Sequence, residues 1–202
     1  LENFPLFVKP NTLGSSIGIS KVEDSVSLHA ALLKGFRYDR TLIIEPCVVD
    51  LMEINVSVLG DQASVVEIPV ATDGILTYED KYMRGGKKTG TQGMASLLRV
   101  IDPQDLNEEI KAFVMNYALN AYAALECLGV SRFDFILDKS NGQLFFNELN
   151  PLPGSNAFYL WQKSSPPLLY THLIDVLVKQ ALERKASKLS VDHSFGFKSL
   201  NS

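Results

Sequence analysis

Arg132-Phe-Asp-Phe-Ile-Leu-Asp138, then Lys139-Ser-Asn-Gly142, then Gln143-Leu-Phe-Phe-Asn-Glu-Leu-Asn150-Pro-Leu-Pro-Gly154 is the stretch on which the fold turns. Two apolar runs flank an Asn141-Gly142 pair, the strongest short-range signal for a tight β-hairpin. Side chains alternate along a strand, so Arg132 and Asp134 share one face of the first run, and Glu148 and Asn150 share one face of the second. If the runs pair across the turn, Asp134 comes close to Glu148 and Asn150. Two carboxylates and an amide oxygen, with an arginine beside them, suit magnesium on a nucleotide phosphate, which takes few protein ligands and keeps its waters. An ordinary amphipathic hairpin with its polar side in water fits the same pattern.

Working outward, Phe4–Lys9 reads as a buried strand, and Pro10–Gly18 as a glycine- and serine-rich loop before extended structure resumes at Ile19–Val22. Asp24 is an N-cap for a helix that carries Val26, His29, Ala30, Leu32 and Leu33 to a stop at Gly35. Thr41–Pro46 is a strand, and Met52–Leu59 alternates with Ser64–Val70 as its hairpin partner. Thr72–Ser96, rich in Gly, Lys and Thr, is expected to be a long mobile loop. Asp102-Pro103 is expected to open a helix whose apolar spacing runs from Ile110 to Leu128 and stops at Gly129. Pro166-Pro167 precede a last helix to about Lys185, and a polar tail starts at Lys188. Antiparallel hairpins with helices make the class α+β.

The 202 residues, 46% hydrophobic, suffice for one core or two small lobes around a cleft. No run reaches the length of a membrane span, and a net charge of -4 argues against a nucleic-acid surface. Cys47 and Cys127 form no metal-type spacing or disulfide framework, so reduced thiols in the cytosol are expected. The opening Leu1-Glu-Asn-Phe, without Met, reads as a cut inside a larger protein or the remnant of tag removal. His29, His172 and His193 lie near no candidate nucleophile.

Lys9 at a strand end, followed by Gly14, Ser15, Ser16 and Gly18, fits a phosphate loop with backbone N–H groups turned inward, and equally a plain flexible turn. Lys81, beside Tyr82, fits a second phosphate cation or a solvated loop lysine. Glu45 and Glu53 bracket the Pro46-Cys-Val48 connection, where a carboxylate suits ribose hydroxyls and exposed backbone suits an adenine edge; a surface acid is the plainer reading of each. Arg132 fits stabilisation of charge on an acyl-phosphate, or a structural pair with Asp134.

Phe4-Pro-Leu-Phe-Val-Lys-Pro-Asn-Thr-Leu-Gly-Ser-Ser-Ile-Gly18 resembles the nucleotide-binding lysine and glycine-rich loop of D-alanine–D-alanine ligases, of the ATP-grasp superfamily. Glu53-Ile-Asn-Val-Ser-Val-Leu-Gly60, Tyr78-Glu-Asp-Lys-Tyr82, Gly129-Val-Ser-Arg-Phe-Asp-Phe135 and Asn147-Glu-Leu-Asn-Pro-Leu-Pro-Gly154 match that family's later motifs in order. The resemblance covers residue 4 to about 185. It implies an ATP-grasp fold: two lobes with antiparallel sheets and flanking helices around a nucleotide cleft. The lobes are expected as a partial small lobe at 1–70 and a catalytic lobe at 71–187, with 188–202 as tail. It implies Lys9 and Lys81 on ATP phosphates, Ser15 and Ser16 in the closing loop, Glu45 and the Val48 backbone at the adenine, and Glu53 on the ribose. Asp134, Glu148 and Asn150 would hold two magnesium ions, with manganese as an alternative. Arg132 would stabilise the intermediate, Tyr82 would organise the closed site, and Gly154 and Tyr159 would meet the second substrate.

The activity implied is ATP-dependent joining of two D-alanines for peptidoglycan precursors, in the cytoplasm, with small-molecule partners and a homodimer of the longer protein. A different amino-acid or peptide acceptor, or a non-catalytic nucleotide-binding domain, are the rival readings. Leu13 stands where the family often has an acid, and Tyr159 falls where a serine is expected. The N-terminal domain, with its substrate glutamate and an earlier ATP lysine, is not in this sequence.

Overall fold

A computed structural model describes residues 4–14, 16–70 and 99–189. The expectations for Ser15, for Lys81, Tyr82 and the Thr72–Ser96 loop, and for the tail beyond residue 189 lie outside the described residues.

Strand β1 (Leu6–Pro10) pairs antiparallel with β2 (Ser20–Val22) on one side and β3 (Leu42–Pro46) on the other, giving a three-stranded sheet in the order β2-β1-β3. Helix α1 (Ser25–Gly35) packs on it. Its start is fixed as the sequence indicated: the Asp24 carboxylate accepts from the Ser27 N–H at 2.7 Å, and the Ser27 hydroxyl answers the Asp24 N–H at 3.1 Å. This reciprocal cap satisfies N–H groups that a helix start otherwise leaves without partners. Leu6, Val8, Val22 and Ala31 form the core beneath the helix, with Leu28, Leu32, Leu42 and Ile44 packed around them.

A second sheet has the order β6-β5-β4-β7-β8, built from β4 (Leu51–Leu59), β5 (Gln62–Pro69), β6 (Arg99–Ile101), β7 (Val130–Asp138) and β8 (Gln143–Asn150). Both sheets and the flanking helices bear out the α+β reading. Strands β4 and β5 belong to the five-stranded sheet, so sheet membership changes between β3 and β4. Backbone contacts gather the described residues of Leu1–Asn55, Val66–Asp105 and Asp134–Glu148 into one unit, and those of Val56–Val65, Leu106–Phe133 and Leu149–Ser202 into another.

Two helix expectations need correction. Helix α2 runs Glu108–Ala124 and is capped by Asn107, whose side-chain oxygen accepts from the Glu109 N–H at 2.7 Å. Asp102-Pro103 therefore does not start it. Asp102 instead sits at φ 51° and gives its N–H to the Val66 carbonyl at 2.8 Å, prolonging the β5–β6 pairing. At the other end Leu125 is the C-cap and Glu126 takes φ 50°, so the apolar spacing that continued to Leu128 is not helical. The short helix α3 (Phe158–Trp161) and the long α4 (Tyr170–Leu189) complete the chain, α4 running a turn beyond Lys185. Cys47 and Cys127 are free thiols.

Candidate functional site

Alternation along β1 decides where Lys9 points. Leu6, Val8 and Pro10 are buried, so Phe7 and Lys9 occupy the other face. The register sets Phe7 opposite Glu45 and Lys9 opposite Ile43, which places Glu45 diagonally beside Lys9. The Lys9 ammonium pairs with the Glu45 carboxylate and also donates to Asn147 Oδ1 at 3.3 Å. The two charged side chains are 22% and 35% exposed. Pairs of that exposure contribute about 0–1 kcal/mol, too little to hold the ammonium against a polyphosphate.

The loop that follows is tied down at its start. The Asp39 carboxylate accepts from both the N–H and the hydroxyl of Thr12 at 2.7 Å, and from the Thr41 N–H at 3.1 Å. These donors, the Thr12 hydroxyl foremost, pull the Asp39 pKa down to about 2. Ser16 takes φ 59° and Gly18 φ 78°, and a Cβ on Gly18 would lie 2.7 Å from Pro10 Cγ. The loop thus folds tightly against the strand end that carries Lys9, and only glycine fits at residue 18. Val48, half-buried after β3, accepts a long contact from the Cys47 thiol at its carbonyl. Burial pushes that thiol's pKa up.

On β4, Glu53, Asn55 and Ser57 recur at period two, which gives one strand face three polar side chains. Asn55, Asp134 and Glu67 are almost fully buried. Turned with its nitrogen toward the carboxylates, the Asn55 amide donates to Asp134 Oδ1 at 3.2 Å, to Glu53 Oε1 at 3.3 Å and to the Ile54 carbonyl at 3.3 Å. Turned the other way it meets Glu67 Oε1 at 3.4 Å. The first orientation is preferred, because the second presses an amide oxygen onto two carboxylates. The Glu67 charge is answered by Arg99 at 3.2 Å, and breaking a pair so buried costs about 3–5 kcal/mol.

The β7–β8 turn forms as expected. Asp138 accepts from the Ser140 N–H at 2.9 Å and the Ser140 hydroxyl at 2.6 Å, which lowers its pKa, and Gly142 adopts φ 74°. Phe135 and Phe146 pack ring to ring at 5.7 Å. Glu148 is exposed and Asn150 half-buried on β8. Among the described residues no three His, Cys, Asp or Glu side chains form a metal cage. The expected magnesium set has only two carboxylates and an amide, so its hard oxygen donors still suit an ion that keeps phosphate and water ligands.

In the first unit, then, the structure brings Lys9 together with Glu45, and Glu53 with Asp134. Arg132, Asn150, Gly154 and Tyr159 belong to the second unit. There Gly154 begins a 3-10 turn and Tyr159 lies half-buried in α3. Sequence reasoning missed Asn55, Glu67, Arg99 and Asn147. The period-two polar face of β4 was the available signal, since a buried strand side does not take polar residues without partners for them.

The family model for the D-ala D-ala ligase C-terminus matches residues 2–179. The chain belongs to that family. The D-alanine–D-alanine ligase of Thermosipho africanus is 35% identical over 195 residues, which are 95% of this chain and 50% of the relative. Among solved structures, the D-alanine–D-alanine ligase of Coxiella burnetii is similar with a TM-score of 0.70 and 25% identity, over 91% of this chain and 47% of the other. The VanG D-Ala:D-Ser ligase of Enterococcus faecalis is similar with a TM-score of 0.64 and 28% identity, over 89% of this chain and 50% of the other. The chain therefore spans about half the length of the relatives it matches. The solved D-alanine–D-alanine ligases it resembles bear out the ATP-grasp expectation for its fold.

Proposed function

We propose that the protein carrying this chain is an ATP-dependent ligase that joins two D-alanines through an acyl-phosphate, supplying cytoplasmic peptidoglycan synthesis. The observation that carries the reading is the single buried amide of Asn55 holding Glu53 and Asp134 together, in a chain of this family. Glu53 is suited to ribose hydroxyls and Asp134 to a magnesium ion, so one donor serves the two ends of a bound nucleotide. In the reaction a carboxylate oxygen of the first D-alanine attacks the γ-phosphorus and ADP leaves. The amine of the second then attacks the acyl carbon and expels phosphate, losing a proton as the peptide bond forms.

Lys9, released from Glu45, would neutralise phosphate oxygens, with Lys81 as a second cation and the loop of Ser15 and Ser16 closing over them. Val48 backbone and Glu45 would border the adenine. Arg132 would stabilise the negative oxygens that develop on the acyl-phosphate and its tetrahedral successor, and Tyr82 would order the closed loop. Asp134, Glu148 and Asn150 would hold magnesium or manganese, which neutralises charge on the transferring phosphoryl group. Gly154 and Tyr159 would border the acceptor.

A second acceptor is favoured by one comparison: a D-Ala:D-Ser ligase shares this fold at 28% identity. ADP release by the full-length protein, measured over a panel of D-amino acids, separates the two. Asp134→Asn and Glu148→Gln are each expected to lower that release by about a hundredfold, in keeping with the loss of a metal-borne or electrostatic contribution. Turnover unchanged in both would end the metal assignment.

A further inference from the structure

The segment after Gly154 departs from the family pattern in sequence, and its backbone is unusual as well. Ser155, Asn156 and Ala157 take φ values of 53°, 52° and 49°, a left-handed turn made without glycine. Such a turn persists only where its surroundings over-determine it.

Two ties fix the segment that follows it. Trp161, buried in α3, donates its indole N–H to Ser57 Oγ at 3.0 Å. The Ser57 hydroxyl in turn donates to the Ser131 carbonyl at 3.1 Å. The Ser164 hydroxyl accepts from the Val65 N–H at 3.0 Å and donates to the Leu160 carbonyl at 3.0 Å. Ser57 and Ser131 are both fully buried. All of these residues, with Arg132, Gly154 and Tyr159, lie in one unit.

A satisfied serine in a core is common. This one is distinguished by what it joins. Its acceptor is the carbonyl just before Arg132, and its donor lies two residues beyond Tyr159. The chain Trp161–Ser57–Ser131 therefore runs from the strand of the arginine to the helix of the tyrosine, through a hydroxyl used as donor and acceptor at once.

We propose that Ser57 and Trp161 are positioning residues for the acceptor amino acid, holding the left-handed turn and Tyr159 in register with Arg132. The proposal rests on the ligase reading above and names residues that set its acceptor specificity. Ser57→Ala and Trp161→Phe remove the hydrogen bond while keeping strand and ring.

Kinetics of the full-length protein, with D-alanine and D-serine as acceptors, should show the acceptor KM raised about tenfold in both variants, the scale of one buried hydrogen bond. The KM for ATP should stay within about twofold, since no bond of this chain reaches Lys9 or Glu53. Ser57→Thr, which retains the hydroxyl, should restore acceptor binding. Hydrogen–deuterium exchange gives a second readout, expected to rise in Ser57→Ala over residues 154–164 and not over β1–β3. Constants for ATP and acceptor that rise together, or an unchanged acceptor KM, would overturn the proposal. Wild-type protein that releases no ADP with any amino acid would sink the ligase reading instead. Exchange would then decide alone, and protection unchanged at 154–164 would refute the tie as well.

Discussion

Asn55 illustrates how much a single neutral side chain can do. Asp134 is almost fully buried and Glu53 half-buried, and one amide meets both carboxylates. Asn55→Leu keeps the approximate volume and removes both donors. Losing a hydrogen bond to a carboxylate at so enclosed a place costs about 1–3 kcal/mol, so the variant should fold less stably and lose the alignment of both groups. In the full-length protein the half-saturating concentrations of magnesium and of ATP should each rise by about tenfold or more, the equivalent of one such contact. Titrations of ADP release against each would check this, and wild-type constants in the leucine variant would show that Asn55 is mere filling. Glu67→Gln offers a contrast. It loosens the Arg99 pair behind the amide, so thermal stability should drop while magnesium and ATP constants move less.

At the scale of elements, local signals were legible where one short motif decides the outcome. Asp24 capping α1 and the Asn141-Gly142 turn both needed nothing but neighbours in sequence. Asp102-Pro103 misled because acid followed by proline also ends a strand, and the choice was made by a Val66 carbonyl far away in sequence. The apolar spacing through Leu128 misled for a related reason: Cys127 gives its N–H to the Tyr122 carbonyl at 3.0 Å, closing the helix before the spacing ends. Strand β6 was hidden because three residues beside a glycine-rich stretch carry no period of their own. The Asn55–Asp134 contact and the Glu67–Arg99 pair were hidden since their members meet only across strands. The hairpin turn is open to a direct test. Gly142 sits at φ 74° with nothing within 4 Å of where a Cβ would go, so alanine there meets no clash. Its cost is purely conformational, about 1 kcal/mol, which for a chain of this size lowers the melting temperature by about 2–4 °C. A larger fall, measured by circular dichroism, would mean that the turn also carries packing this geometry does not contain.

Over the whole molecule, acid stability follows from where the lowered carboxylates sit. Asp24, Asp39 and Asp138 all have pKa values held below the usual range by hydrogen bonds from Ser27, Thr12 and Ser140, and each closes a cap, a loop or a turn. A carboxyl whose folded pKa is depressed adds stability that is fully present above its unfolded value, and loses it as pH falls through the folded one. For Asp39, with a folded value of about 2, the contribution should be intact at neutral pH and drain away from about pH 4 downward. None of the three titrates between pH 5 and 8, so stability attributable to them should be flat there. In Asp39→Asn the carboxylate that gathers Thr12 and Thr41 is gone at every pH. The variant should melt earlier than wild type at pH 7, and the gap should narrow steadily as pH drops from about 4 toward 2, where the wild-type carboxyl also becomes neutral. Melting temperatures measured at half-unit steps test it: two parallel curves down to pH 2 would show that the Asp39 charge does not hold the Lys9 loop to the body of the chain.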